Sequence, residues 1–446
     1  MSSASAARIC IVGAGPCGLT ALKNVRAFGL DNVVCYDESD AIGGNWTFDE
    51  SPDRTSVYET THIISSKRLT EFEDFPMPAG YPDFPSHRQL RAYFESYADH
   101  FNLTQFIRLR TRVEKARRLD DGRWSVRTAG PEGNAENVFD HLIVCAGHHR
   151  DPYVPEYPGE FSGEILHSRD FKRADGFRDK RVLVVGAGNS ACDIAVDIGR
   201  VAAHTCLSMR RGYYIVPKLI FGRPVDVMYA RLRKHLGRGL VQRIASAAMR
   251  IIMGPWRTYG LQAPKNRLFE THPTLNSNIL NALRHGTVLP RVGIERLDGA
   301  TVHFRDGTAE SFDTIVWCTG FNVSYPFLDN SIFNASRTQP QPLYLKMMHE
   351  RIANLYFIGL FQPIGCIWRL ADYQARIAAS QIAGRLGRPA DIAKRISKEM
   401  RSPHWNFKLA ANQAPEVDYH DFRHELLEEL KQPSADRETA ASATRR

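Results

Sequence analysis

Twice in this chain a short apolar run breaks into a glycine-rich turn that opens an apolar-periodic helix, and that repeated grammar limits the folds available. The run Arg8–Val12 leads into Gly13-Ala14-Gly15-Pro16-Cys17-Gly18, helical periodicity continues to about Phe28, and a second apolar run, 32–36, ends at Asp37. About 170 residues later Arg181–Val185 leads into Gly186-Ala187-Gly188-Asn189-Ser190-Ala191, a helical stretch, and the run Thr205–Met209. Strand, tight turn, helix and strand make a βαβ unit. Two units so far apart imply two nucleotide-binding domains of related design rather than one large sheet. In such a loop the first glycine permits the turn, the second lets backbone approach a pyrophosphate, and the third lets helix pack on strand. The helix N-terminus then faces the phosphates.

The two units end differently. Asp37 stands where a carboxylate accepts hydrogen bonds from ribose hydroxyls. The second unit ends in Ser208-Met209-Arg210-Arg211, and a guanidinium clamps the 2′-phosphate that a carboxylate would repel. The second dinucleotide is therefore expected to be NADPH. Charge agrees: of a net +9, the segment 210–270 holds 13 Lys and Arg against Asp226 and Glu270, and the rest is nearly balanced. So local a basic cap favours a small anionic ligand over a nucleic acid.

Eight scattered cysteines with no C-x-x-C pair argue against a redox dithiol, a disulfide framework or a bound metal. No apolar run reaches the roughly 18 residues of a spanning helix. The start, MSSASAAR, lacks the apolar stretch of a signal peptide, so a cytoplasmic protein is expected. Helical periodicity marks 87–101 and 226–253, the latter amphipathic with Arg243 and Arg250 one heptad apart; packing on its own protein or across a homodimer is expected there rather than membrane contact. Residues 72–85, rich in Pro and aromatics, read as an ordered loop over a site in which Phe72, Phe75 and Tyr81 serve packing. Strand-like runs at 124–128, 141–145, 301–304 and 314–318, with turns at Asp121-Gly122 and Asp306-Gly307, complete the pattern; 437–446 reads as a disordered tail.

Between the units stands Phe161-Ser162-Gly163-Glu164-Ile165-Leu166-His167-Ser168-Arg169-Asp170-Phe171. This F-x-G-x-x-x-H-x-x-x-F run resembles the fingerprint of the flavin-containing monooxygenase family, the class B flavoprotein monooxygenases. Gly43-Gly44-Asn45-Trp46, Ser66-Lys67, Asp74-Phe75-Pro76, Cys318-Thr319-Gly320-Phe321 and the segment Phe357–Gly365 resemble further family segments, so the likeness runs through nearly the whole chain. It implies an α/β fold of two Rossmann-like domains of the glutathione-reductase type, the second inserted in the first. An FAD domain would span 1–168 and 325–446, and an NADP domain 169–324, with a basic helical insert at about 212–270. FAD would be held by Gly13, Gly15, Pro16, Cys17, Gly18, Asp37, Gly44, Asn45, Trp46, Ile64, Ser65, Thr319, Gly320 and Gln362. NADPH would be held by Gly186, Gly188, Asn189, Ser190, Arg210 and Arg211. In such enzymes NADPH reduces FAD, O₂ forms a C4a-hydroperoxyflavin, and a small molecule's amine nitrogen or sulfide sulfur takes the oxygen; the cofactor carries the hard chemistry. Related Baeyer–Villiger enzymes end the fingerprint in Trp-Pro or Trp-Asp, whereas Phe171-Lys172 here favours heteroatom oxygenation over the alternatives of carbon oxygenation by the same chemistry or an NADPH oxidase or reductase without oxygen transfer.

One position departs from the family pattern. Aligned on Lys67, the family's N-x-x-K asparagine, which contacts the flavin and NADP region, becomes Ile64. Isoleucine donates no hydrogen bond, so Ser65, Ser66 or His62 substitutes or the oxygenating species is less protected. Ile64, Ser65, Ser66 and His167 are accordingly the candidate catalytic residues, His167 as a coupler of the two domains more than as an acid or base.

Overall fold

Runs such as Ile9–Val12, with no polar position, lie only in a sheet covered on both faces. The computed structural model, which describes residues 6–51, 54–335, 339–401 and 416–432, has two such sheets. In the first, Leu355–Phe357, His141–Val144, Ile9–Val12, Val33–Tyr36 and Ile107–Arg108 run parallel in that order, extended by two short antiparallel strands at 343–344 and 348–349. The second is parallel throughout: Leu289–Val292, His204–Met209, Arg181–Val185, Thr314–Trp317 and Glu164–His167. Each central strand has its βαβ partner on one side and a later strand on the other. Each glycine loop thus leaves its sheet at a topological switch point, where α/β sheets bind ligands. The tail at 437–446 lies outside the described residues.

The chain crosses between the sheets at Asp151–Pro152 and returns at Phe321–Asn322, and the two crossings pair antiparallel with each other. Strand Glu164–His167, on the first domain's side of the expected boundary at 168, pairs instead with Thr314–Trp317 of the second sheet. The crossing therefore lies nearer 151, because the fingerprint itself builds an edge strand. After the return, helix Ile367–Ile382 packs on helix Pro16–Ala27 across a buried ion pair, Lys23 Nζ to Asp372 Oδ1 at 2.7 Å.

Gly237 interrupts the amphipathic stretch of the insert, giving helices Val225–His235 and Arg238–Met253. The second buries Val241, Met249 and Met253 but leaves Leu240, Ile244 and Ile251 exposed beside Arg243 and Arg250. Packing within the chain covers only one side of it. The Pro-rich loop is ordered by its aromatics, as expected: Phe72 stacks on Tyr97 at 4.3 Å, and Phe75 lies 5.5 Å from both Tyr93 and Tyr97. Lys67 Nζ pins the same loop through the carbonyls of Ala79 (3.1 Å) and Tyr81 (2.7 Å).

The two loops share one backbone plan. Gly13 N–H donates to Tyr36 O at 2.7 Å and Gly186 N–H to Ser208 O at 3.0 Å, both with positive φ (+105° and +146°). A Cβ on either would meet a carbonyl of the neighbouring strand's end, Cys145 O at 2.6 Å or Cys318 O at 2.4 Å. At Gly18 a Cβ would fall 1.7 Å from Gly13 O, an impossible contact with backbone, whereas Gly188 has open space and an ordinary φ of −76°. Gly18→Ala should therefore lower stability by about 3 kcal/mol and strip the flavin. Gly188→Ala should melt like wild type and lose dinucleotide affinity alone. Thermal unfolding with flavin absorbance per chain separates the two outcomes.

Candidate active site

Helices Pro16–Ala27 and Asn189–Ile198 begin at Gly15 and Gly188, and neither has a side-chain cap. Their first-turn amides are donors awaiting an anion, reinforced by the helix dipole. Gly44 faces Gly15 so closely that a Cβ on Gly44 would reach Gly15 Cα at 3.0 Å, so two bare backbones flank the first helix start. Asp37 lies below this loop, Oδ2 accepting from Ala14 N–H (2.6 Å) and Oδ1 from Ser39 N–H (2.7 Å). Pro16 opens the helix, its missing N–H falling where no helical partner is needed. Burial pushes the Cys17 thiol up to about 12, and its sulfur packs against Gly359. Asn45 and Trp46 follow Gly44 in a 3₁₀ turn; the Asn45 carbonyl accepts Val57 N–H (2.9 Å), and the Trp46 ring meets Trp368 edge-on at 5.8 Å. Gln362 stands in a short strand paired with Glu416. These donors and glycines suit the pyrophosphate and ribose of a dinucleotide.

At the second loop, Asn189 Oδ1 accepts Leu275 N–H (2.9 Å) and Thr274 Oγ1 donates to Ala187 O (2.6 Å), so the short strand Thr274–Leu275 that follows the insert braces the turn. Ser190 and Arg210 are exposed at the mouth, and the Arg211 guanidinium lies over the Tyr213 ring at 5.0 Å. This cationic rim suits a phosphorylated ribose.

His167 is fixed at the crossing. Its Nδ1 accepts Arg169 N–H (3.1 Å), which leaves Nε2 to donate to Gly320 O (3.1 Å), and burial holds its pKa below the usual histidine value. Both nitrogens are committed, so the ring ties the second sheet's edge strand to the return crossing. Thr319, beside Gly320, donates through its hydroxyl to Tyr153 O on the outgoing crossing. Sequence reasoning missed His148 and His149, which follow Gly147 at the end of strand His141–Val144. His149 lies 5.2 Å from the Phe321 ring and His167 lies 5.1 Å from it. A glycine at positive φ after a sheet strand (Gly147, φ +70°) was their only signal.

Around the departure, Ile64 is half-buried, Ser65 Oγ is paired with Thr70 Oγ1 at 2.9 Å, and Ser66 is buried, its N–H donating to Asp226 Oδ2 at 2.6 Å. His62 is exposed, with Nδ1 2.9 Å from Thr60 O. Of the three expected substitutes, Ser65 and His62 are engaged elsewhere. Ser66 Oγ has no hydrogen-bond partner among the described residues.

A family model described as flavin-binding monooxygenase-like matches residues 6–434. The chain belongs to this family. It is 32% identical over 441 residues to human flavin-containing monooxygenase 5, covering 94% of this chain and 82% of that one. It is 33% identical over 448 residues to "Dimethylaniline monooxygenase [N-oxide-forming] 2" of Pan troglodytes, covering 95% and 83%. Among solved structures, S-allyl-L-cysteine S-oxygenase from Allium sativum superposes with a TM-score of 0.71 at 21% identity, covering 95% and 88%. Cyclohexanone monooxygenase from Rhodococcus sp. Phi1 bound to NADP⁺ gives 0.69 at 16%, covering 94% and 96%. The protein is a monooxygenase that uses FAD and NADPH. No helix among the described residues is long and apolar enough to cross a membrane.

Among the described residues, one other cluster gathers ligand-type side chains: His204, Cys206 and Glu310. Both Glu310 oxygens already face guanidinium groups, Arg181 at 2.7 Å and Arg291 at 2.8 Å, so a dication there would meet two positive charges. It is an ion-pair network at the sheet edge.

Burial lowers the pKa of His148, His149 and His167, that of His149 to about 3. Each binds its proton more readily unfolded than folded. Stability is therefore full above about pH 6.5, the ordinary histidine value, and falls as pH drops toward 3. His149→Gln should lose less of its melting temperature than wild type between pH 7 and roughly pH 5. Parallel declines in the two proteins would count against this account.

Proposed function

We propose that this monooxygenase transfers one oxygen atom of O₂ to a soft nucleophile, an amine nitrogen or a sulfide sulfur, of a small molecule. The observation that carries the reading is the end of the fingerprint. Phe171 is buried 5.7 Å from both Tyr58 and Phe177, and Lys172 Nζ donates to Ser56 Oγ (2.6 Å) and Arg169 O (3.0 Å). Lysine fills this position with its own set of contacts, where the ketone-oxygenating pattern has Pro or Asp. The N-oxide-forming and S-oxygenating relatives support the same class.

Bound FAD, reduced by NADPH, supplies the electrons that divide O₂ between product and water, so substrate, O₂, NADPH and H⁺ give oxygenated substrate, H₂O and NADP⁺. The chain's own part is to bind, orient and exclude water. The first-turn amides after Gly15 and Gly188, with Pro16, Cys17 and Ser190 beside them, would hold the two pyrophosphates. Asp37 would position the FAD ribose while fixing its loop, and Gly44, Asn45, Trp46, Thr319, Gly320 and Gln362 would line the flavin. Arg210 and Arg211 would hold the 2′-phosphate of NADPH. His167 keeps the two domains in register without moving a proton. All eight thiols are shifted upward by burial, so none is a thiolate nucleophile at neutral pH.

The test is to supply NADPH, O₂ and, in turn, a tertiary amine, an alkyl aryl sulfide and a cyclic ketone. An N-oxide or sulfoxide is expected. An ester from the ketone alone would favour carbon oxygenation, and NADPH consumed with only hydrogen peroxide released would overturn the reading. Because Ile64 offers no donor, wild type should release measurable peroxide per NADPH oxidised, and Ile64→Asn should lower that ratio. Replacing Arg210 and Arg211 by alanine should raise KM for NADPH roughly ten- to hundredfold, the scale of charge-assisted hydrogen bonds at about 1.5–3 kcal/mol. KM for NADH should stay nearly unchanged.

A further inference from the structure

Residues 58–66 precede the Pro-rich loop and carry Ile64, yet much of what holds them comes from the second sheet's side of the molecule. Tyr58 O–H donates to Asp193 Oδ2 (2.8 Å), in the helix that starts at the NADP loop, and Asn276 Nδ2 donates to the other oxygen (2.5 Å). Glu59 N–H donates to Lys172 O (3.0 Å), and Thr60 Oγ1 donates to Asp197. Lys218 Nζ donates to Ile63 O (3.2 Å), and Asp226 accepts Ser66 N–H at 2.6 Å. The first domain answers with its own backbone: Ile63 N–H donates to Pro85 O (2.9 Å) and Lys67 N–H to Asp83 O (2.7 Å). Ile64 is thus strung between two anchors, each a charged side chain of the insert bound to main chain.

Those anchors are built rather than incidental. Asp226 stands in the first turn of helix Val225–His235, its Oδ1 accepting Val227 N–H at 2.8 Å while Oδ2 reaches across to Ser66. Lys218 is held in place by its own N–H, which donates to Ser277 Oγ (3.1 Å), and by the Phe84 ring 5.2 Å from its ammonium. Lys218 O accepts Val225 N–H (3.0 Å), so the two anchors bracket one short hairpin, Leu219–Pro224, and are tied to each other through it. Charge-assisted hydrogen bonds to main-chain groups fix a backbone position, and the Lys218 ammonium also attracts the buried Asp193 carboxylate that holds Tyr58.

We infer that Lys218 and Asp226 are positioning residues for oxygen transfer: they make the NADP side of the molecule, through the insert, set where the Ile64 segment stands at the flavin. The inference rests on the reading that this segment faces the flavin. It explains how an enzyme lacking the usual amide can hold this stretch of backbone, because two anchors fix the main chain that carries Ile64.

The experiment compares purified, FAD-loaded wild type with Asp226→Asn, Asp226→Ala and Lys218→Met. Asn keeps one acceptor for Ser66 N–H and Ala keeps none, so peroxide released per NADPH should rise from wild type through Asn to Ala. The full rise should be roughly tenfold, the scale of one lost charge-assisted hydrogen bond, with Lys218→Met resembling Ala. A second readout, the change in flavin visible absorption on adding NADP⁺ without oxygen, should shrink in the same order. Melting temperatures identify variants that fail merely by unfolding. Flavin-loaded variants with wild-type coupling and a wild-type NADP⁺ response would overturn the inference. If wild type makes no oxygenated product with any substrate, the function proposed above fails, and the absorption readout still decides the positioning role.

Discussion

Two helix starts without side-chain caps are the constraint around which this molecule is arranged. A helix N-terminus normally satisfies its first amides with a Ser, Thr, Asp or Asn side chain worth about 1 kcal/mol. Helix His87–His100 does so with Ser86 and Gln89 in a capping box. The helices after Gly15 and Gly188 forgo that stabilisation, as do those after Gly237 and Cys366, but of these four only the first two open from a glycine loop that follows a central strand of a parallel sheet. Their amides are left for phosphate oxygens, and the neighbouring glycines keep the approach clear. Everything else in each domain holds those donors in place: Asp37 pulling on Ala14, Thr274 on Ala187, and the positive-φ glycines that let each loop pass beneath its neighbouring strand.

With each glycine loop seated on its own sheet, the proposed reaction depends on how the sheets are joined. The two crossings pair with each other, and His167 and Thr319 stitch them to their surroundings. A histidine used this way must stay neutral, because a protonated Nδ1 could not accept Arg169 N–H. The same burial that lowers its pKa therefore preserves the bond pattern that makes it useful. Chemistry and architecture coincide here without the ring acting as an acid or base.

Much of this was legible in the sequence because it depends on short-range pattern. The two glycine loops, their strands, the acid at 37 and the arginines at 210 and 211 follow one another at fixed spacing. The fingerprint could be read as a motif but not as an edge strand. That role depends on pairing with Thr314–Trp317, some 150 residues away, which no local spacing announces. The anchors of the Ile64 segment were hidden for the same reason. Asp193 looks like an ordinary helix charge, and Lys218 and Asp226 like surface charges in a basic insert; only the fold brings Asp193 to the Tyr58 hydroxyl and the other two to the main chain of Ile63 and Ser66.

The basic insert consequently has a second reading. Its charge excess suggested attraction of an anionic cofactor, and the exposed Arg243 and Arg250 remain free to contribute to such a field. Yet Lys218 and Asp226, at opposite ends of one hairpin, do local work that net charge cannot describe. Asp226, one of two acids in an overwhelmingly basic segment, adds little to steering, but as a hydrogen-bond acceptor it fixes Ser66. Composition spoke to the long-range field, whereas the backbone that carries Ile64 is placed by two side chains whose value lies in their geometry.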